Sequence, residues 1–214
     1  MTARIIVADD HQILREGLVT LLEKAGLTVV GQAGDGRTAV RLARELKPAV
    51  VIIDIAMPEL NGIEATRQIV TEVPGVKVIA LSMHADKHFV RGMLQAGASG
   101  YLLKHCASQE LVQAIRAVLN NQIFLSPGIT ELVVEGFKST PGDASVFSVL
   151  TSREREVLQL YAEGKISREI AATLHISLKT VEAYRRQIME KMGFHSFADL
   201  IKYAIREGLT TLET

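Results

Sequence analysis

Val50-Val-Ile-Ile-Asp-Ile-Ala-Met-Pro58 is the stretch whose reading decides the fold. Four β-branched apolar residues in a row suit a strand buried on both faces of a parallel sheet, and the run stops at Asp54. A carboxylate is thereby placed at a strand's carboxyl end, the edge of an open α/β sheet where departing loops leave a ligand crevice. Other polar residues follow other apolar runs in the same way. Asp9 and Asp10 follow Arg4-Ile-Ile-Val-Ala8, Ser82 follows Lys77-Val-Ile-Ala-Leu81, and Lys104 follows Gly100-Tyr-Leu-Leu103. Three carboxylates, a hydroxyl and an ammonium on one rim suit a divalent cation and a phosphoryl group, with Asp54 as the nucleophile.

Outward from this stretch, strand-like and helix-like segments alternate five times between Arg4 and Asn120. Strands are expected over 4–8, 28–33, 50–53, 77–81 and 100–102, with amphipathic helices over 12–25, 37–46, 62–73, 87–95 and 108–119. Such alternation predicts an α/β domain: a five-stranded, doubly wound parallel sheet of order 2-1-3-4-5 with right-handed crossovers. The topological switch then falls between strands one and three. It brings Asp9, Asp10 and Asp54 across one crevice.

Asp9-Asp10, Asp54 followed by Met57-Pro58 and Gly62, Ser82, and Tyr101 three residues before Lys104 resemble the signature of response-regulator receiver domains, a flavodoxin-like fold, over about residues 1–121. The resemblance implies that Asp54 accepts a phosphoryl group from a sensor histidine kinase. It implies Mg2+ held by Asp10, Asp54 and the carbonyl of Ala56, with Asp9 reaching it through water. It further implies that Ser82 binds a phosphoryl oxygen, that Lys104 neutralises the equatorial oxygens, and that Tyr101 is a rotating switch. Met83 stands where many receivers carry a smaller residue. His11, His84, His88, His105 and Cys106 show no metal-ligand spacing and read as surface or helix-end residues.

Two rival chemistries are weaker. Gly34-Asp-Gly36-Arg-Thr-Ala39 matches G-x-G-x-x-A ahead of a helix, as in dinucleotide binding, but the first loop of the sheet carries two carboxylates that would repel a pyrophosphate. Phosphatases of the haloacid-dehalogenase type carry a second Asp two residues after the nucleophile, and here that residue is Ala56. Composition adds little about partners. Lys plus Arg and Asp plus Glu both total 24, so any nucleic-acid interface must come from local placement. The single cysteine excludes an internal disulfide, and no apolar run approaches the roughly 18 residues of a membrane span. A soluble cytoplasmic protein with no membrane partner is expected.

Between residues 122 and 148 the alternation dissolves into a linker, with a short helix conceivable at 129–137 and turn chemistry at Ser139-Thr-Pro-Gly-Asp143. Beyond it, 149–214 reads as an all-α domain of four helices. Thr151-Ser-Arg-Glu154 is a capping box for a helix through Ala162; a second runs from Ser167 to Leu174; Ser177 caps a third to Met192; Ser196-Phe-Ala-Asp199 starts a fourth ending near Gly208. The second and third, joined by a tight turn, form a helix-turn-helix. On the third, Val181, Tyr184, Ile188 and Met192 make one stripe, while Lys179, Glu182, Ala183, Arg186 and Glu190 make the opposite one. Arg for guanine, Glu for cytosine and Ala for a thymine methyl suit a major groove.

Leu150-Thr-Ser-Arg-Glu-Arg-Glu-Val-Leu158, Gly164-Lys165, Glu169-Ile-Ala171 and Ile176-Ser-Leu-Lys-Thr-Val-Glu182 resemble the output domain of the NarL/FixJ group, also called LuxR-type. Ser152 departs from a common proline, and His175 from a common glycine. The expected whole is a transcriptional response regulator rather than an enzyme, in which Glu182, Ala183 and Arg186 read bases of double-stranded DNA. Lys179, Thr180, Arg185 and Lys191 would hold phosphates, and Phe197 and Ile201 of the fourth helix would either meet a second copy in a homodimer or equally serve the core. A regulator that works without phosphorylation remains the alternative. A quorum-sensing relative would lack the acidic cluster and Lys104.

Overall fold

The computed structural model describes residues 3–83, 87–105, 108–130 and 149–210. Two compact units divide the chain at Thr140 and Pro141. The first holds β1 (Arg4–Ala8), α1 (Gln12–Lys24), β2 (Thr28–Ala33), α2 (Gly36–Leu46), β3 (Val50–Asp54), α3 (Gly62–Glu72), β4 (Lys77–Ser82), α4 (Lys87–Ala96), β5 (Gly100–Leu103), α5 (Ser108–Leu119) and β6 (Phe124–Leu125). His84, Cys106, the side chain of His88 and the expected tether at 138–148 lie outside the described residues, as does most of the expected helix at 129–137; residues 127–130 are helical.

All strand pairs are parallel and the order is β2-β1-β3-β4-β5-β6. The sheet therefore has six strands where the sequence predicts five. The additional one pairs only Phe124 with Gly100 and Leu125 with Tyr101. Two residues are too short to show a period, which is why the pattern hides it. On one face Ile5, Val7, Val50, Ile52, Ile79, Leu81 and Leu102 pack with Leu22 of α1 and Leu111, Ile115 and Val118 of α5. Their neighbours Ile6, Val51, Ile53, Val78 and Ala80 point the other way and are buried as well. Burial on both faces accounts for the unbroken β-branched runs.

Caps fix where the helices begin. The Asp35 carboxylate accepts from Thr38 N–H at 2.8 Å to open α2, and Asn61 accepts from Glu64 N–H at 3.0 Å to open α3. Gly62 is required by crowding, since a Cβ there would lie 2.1 Å from the Asp54 carbonyl oxygen.

The second unit holds α6 (Ser152–Ala162), α7 (Ser167–Leu174), α8 (Leu178–Met192) and α9 (Phe197–Arg206). Val157, Leu158, Leu160, Ile170, Leu174, Val181, Ile188, Leu200 and Ala204 form its core. The expected capping box of α6 is complete: Thr151 and Glu154 bond reciprocally. His175 closes α7 at φ 52°, the left-handed conformation that glycine would take more easily.

At the start of α7 half a capping box is missing. Glu169 accepts from Ile166 N–H at 2.9 Å, but the Ile166 side chain has no oxygen to return the bond and stands 60% exposed. Ile166→Ser should therefore stabilise this unit by about 1 kcal/mol, since it supplies the cap and forfeits little buried surface. Urea denaturation reads the effect. A variant no more stable than the parent would show that the contacts of Ile166 outweigh a cap.

Candidate functional site

Strand order and register assemble the rim. β3 lies between β1 and β4, so Asp54 faces the end of β1 on one side and the end of β4 on the other. Pairing of Ser82 with Leu103, and a 2.8 Å bond from Lys104 N–H to the Ser82 carbonyl, carry Lys104 to the same edge. Its ammonium lies 2.7 Å from Asp54 Oδ2 and 2.9 Å from Asp9 Oδ2. Asp54 Oδ1 accepts from Ile55 N–H at 2.7 Å. Asp9 and Asp54 are buried, Ser82 is buried beside them at the end of β4, and Asp10 is partly exposed at the crevice. Tyr101 is fully buried between the neighbours Ala80 and Leu125. Ala56 follows in the loop whose turn is closed by bonds from Met57 N–H and Gly62 N–H to the Ile55 carbonyl. Met83 is exposed.

The electrostatics follow from this burial. Desolvation is the largest influence on Asp54 and pushes its carboxyl up to about 6. Lys104 pulls it down, and Asp9 and Asp10 push it up again. For Lys104, burial works against the ammonium, but Asp54 and Asp9 outweigh it and hold the group above its ordinary value.

One residue of this cluster escaped sequence reasoning. The ligand atoms of Asp9, Asp10, His11 and Asp54 lie within 4.8 Å of one another, and His11 Nδ1 is 2.9 Å from Asp10 Oδ1. His11 is the N-cap residue of α1, so its helix-end placement was legible; its contact with the acids was not. Neither aspartate caps α1, as Asp9 Oδ1 accepts from His11 N–H within the preceding turn. Asp9 Oδ2 is buried, and the Lys104 ammonium 2.9 Å away compensates its charge. A set of carboxylate oxygens with acceptor capacity to spare fits a hard divalent cation.

The dinucleotide alternative finds no support at α2. A Cβ on Gly36 would meet the Leu60 carbonyl oxygen at 1.9 Å, so that glycine serves helix packing. The amide of Thr38 in the first turn, where a pyrophosphate would bind, already faces the Asp35 carboxylate.

In the second unit, α7 and α8 form the expected pair around the His175 turn. Lys179, Glu182 and Arg186 are exposed on α8, and Ala183 is half-buried beside them. Thr180 packs its hydroxyl 2.8 Å from Ser177, which caps the helix. Other expected contacts also have partners inside the unit. Lys191 reaches both Glu154 oxygens, at 2.8 and 2.9 Å, and with the Thr151 bonds holds that buried carboxyl below its ordinary value against desolvation. Arg185 lies over the Phe197 ring, 4.1 Å from its centroid. Phe197 in turn stacks edge-on with Tyr161 at 5.0 Å, and Ile201 is half-buried against the core. Helical periodicity placed these residues on faces, but their partners lie too far along the chain for spacing to reveal.

Comparison with known proteins agrees with both units. Residues 5–116 match the response regulator receiver domain, and residues 148–204 match bacterial regulatory proteins of the luxR family. Response regulator GacA of Pseudomonas protegens is 40% identical over 208 residues, covering 96% of this chain and 97% of that protein. Response regulator UvrY of Escherichia coli K12 is 36% identical over 211 residues, covering 98% and 97%. A solved complex of the two-component response regulator RcsB with DNA is 28% identical, covers 95% of this chain and 98% of its own, and superposes with a TM-score of 0.60.

Burial of Asp54 has a measurable consequence. A carboxyl raised from 3.8 to about 6 favours the fold while protonated, and that contribution is lost as pH rises through the folded value. Between pH 5 and 7.5 the metal-free protein should lose about 1 kcal/mol of stability from this group alone, on the order of one pKa unit of linkage. Asp54→Asn should abolish that part of the pH dependence. Denaturant unfolding of the first unit at the two pH values, with chelator, checks it: parallel loss in parent and variant would show that Asp54 is not the titrating group.

Proposed function

Because this chain belongs to the two-component response regulators that join a receiver domain to a LuxR-type DNA-binding domain, we propose that Asp54 is its phosphoacceptor and that phosphorylation there controls DNA binding by α8. The chain is a regulator and not an enzyme. The observation that carries the proposal is the contact of Asp54 Oδ2 with Lys104 at 2.7 Å, at the carboxyl end of a central strand. Above pH about 6 Asp54 is ionised and able to attack. A carboxylate oxygen forms the bond to phosphorus as the phosphorus–nitrogen bond of a sensor kinase's phosphohistidine breaks, and the electron pair leaves with the imidazole.

Mg2+ would be held by Asp10, Asp54 and the Ala56 carbonyl, with Asp9 acting through water, and it supplies charge compensation for the transferring oxygens. Lys104 stays beside Asp54 and neutralises an equatorial oxygen. Ser82, buried at the neighbouring strand end, donates its hydroxyl to another. Tyr101 behind it takes up the displacement as the switch. In the output unit Glu182, Ala183 and Arg186 read base edges, while Lys179 and Thr180 at the start of α8 hold phosphates. Lys191 and Arg185 serve the unit's own structure first, given their contacts with Glu154 and Phe197. A homodimer on DNA would use the part of Ile201 that the core leaves exposed. The chain acts where bacterial DNA lies, in the cytoplasm, and no helix among the described residues is long and apolar enough to cross a membrane.

Acetyl phosphate with Mg2+ should retard the parent protein, but not Asp54→Asn, on a phosphate-affinity gel, and chelation should stop the reaction. Undiminished label on the variant would move the acceptor elsewhere. Phosphorylated parent should bind its DNA site more tightly than unphosphorylated protein at the same salt concentration; equal affinity would contradict control of binding.

Arg186→Ala should cost roughly 1–3 kcal/mol on the best site and relax preference at one base pair, as loss of a bidentate contact with guanine does. Lys179→Ala should weaken all sequences alike and reduce the salt dependence by about one ion. Binding to a randomised site library at two salt concentrations separates the two. If Arg186→Ala changed only the salt slope, Arg186 would be a phosphate contact.

A further inference from the structure

Glu182 is exposed on α8, yet it is not a free side chain. The Ser167 hydroxyl at the start of α7 donates to Glu182 Oε1. A serine hydroxyl carries one hydrogen, so in its second contact, 2.8 Å from Tyr161 Oη, the tyrosine must be the donor. The order is fixed: the Tyr161 hydroxyl donates to Ser167, and the Ser167 hydroxyl donates to the carboxylate. Each bond polarises the next. The tyrosine ring is held too, by its edge-on contact with Phe197 at 5.0 Å and 82°. Arg185 covers Phe197 at 4.1 Å, and its Nη1 comes no nearer than 4.0 Å to Glu182 Oε2. The ring of contacts thus closes through all four helices and leaves Oε2, which meets Arg185 only at 4.0 Å, as the oxygen with bonding capacity to spare.

We propose that Tyr161 and Ser167, which lie off the recognition helix, are positioning residues that pre-set Glu182 to accept a hydrogen bond from the exocyclic amino group of cytosine. The proposal rests on the reading of α8 as the base-reading helix and names what orients one of its readers. A carboxylate accepts and never donates when ionised, so in a major groove it favours the N4 amino group of cytosine and is repelled by the N7 and O6 acceptors of guanine and the O4 acceptor of thymine. An unrestrained glutamate would lose rotamer freedom only where it forms the base contact, a cost that subtracts from its preference for the correct base. With Oε1 already bonded, much of that ordering precedes DNA binding, and the remaining oxygen meets the base in one orientation. Sequence preference at that base pair is then set partly by helices that touch no base.

The test uses the full chain, treated throughout with acetyl phosphate and Mg2+, in selection from a randomised site library at two salt concentrations. Glu182→Gln should flatten preference at one base pair. Ser167→Ala and Tyr161→Phe should flatten the same base pair by roughly three- to tenfold, the range of one net hydrogen bond, with the salt slope unchanged. Tyr161→Phe keeps the ring against Phe197 and so preserves the fold, and Ser167→Thr, which retains the hydroxyl, should retain the preference. Uniform weakening at every position by Ser167→Ala and Tyr161→Phe would mark a merely structural role and overturn the proposal. If Glu182→Gln shifts the preference and neither hydroxyl variant does, the base contact stands and the positioning role is overturned. If Glu182→Gln itself leaves every preference intact, the base-reading role of Glu182 falls first, and the positioning role with it.

Discussion

The ammonium of Lys104, wedged between Asp54 and Asp9, is the contact on which the first unit's chemistry depends. Three carboxylates meet at one sheet edge because β1 and β3 are neighbours. Without a cation among them, like charges in a partly desolvated crevice would repel one another. Lys104 reaches that position only because β5 is registered against β4 so that Leu103 stands opposite Ser82. A slip of one residue would turn alternate side chains to the other face and remove the ammonium from the acids. Sheet register and site electrostatics are therefore one constraint seen at two levels.

The compensation is incomplete, and that is its chemical use. Asp54 still lies at about 6, burial and its acidic neighbours outweighing Lys104. Any ligand that brings positive charge to the edge relieves a cost that the folded chain carries. The same imbalance that makes the metal-free fold sensitive to pH makes the site receptive to a hard cation.

Much of this was legible in the sequence because buried parallel strands write themselves as continuous apolar runs, and a polar residue ending such a run marks the ligand edge. Strands β1 to β5 match their expected spans to within a residue, as do the caps Thr151, Ser177 and Ser196. β6 was not legible: it owes its existence to pairing with Gly100 and Tyr101 and carries no pattern of its own. Side-chain partnerships across the output unit were equally hidden. Lys191 and Glu154 are 37 residues apart, and Ser167 and Glu182 are 15 apart. Helical periodicity says which face a residue occupies, but only the packing of α6, α7 and α9 against α8 decides whom it meets. Lys191 thus looked outward in the sequence and Phe197 fitted either side, and both have inward partners in the structure.

Those partnerships sort the acids by role in a way that composition does not. Glu154 is 3% exposed, and Lys191 and Thr151 engage it from both sides, so it has nothing to offer a ligand and acts as a strut between α6 and α8. Glu182 is about half exposed, and only one of its oxygens is bonded within the unit. Asp54 is buried with a bond at each oxygen, yet one of those bonds comes from the Lys104 side chain, which can follow a new charge while the backbone amide of Ile55 cannot. A carboxylate's unspent acceptor capacity, and whether its partner is free to move, separates the strut Glu154 from Glu182 and Asp54, the groups proposed to meet a ligand. Each of the three is fixed by a residue distant in sequence, so the distinction belongs to the fold and not to any motif.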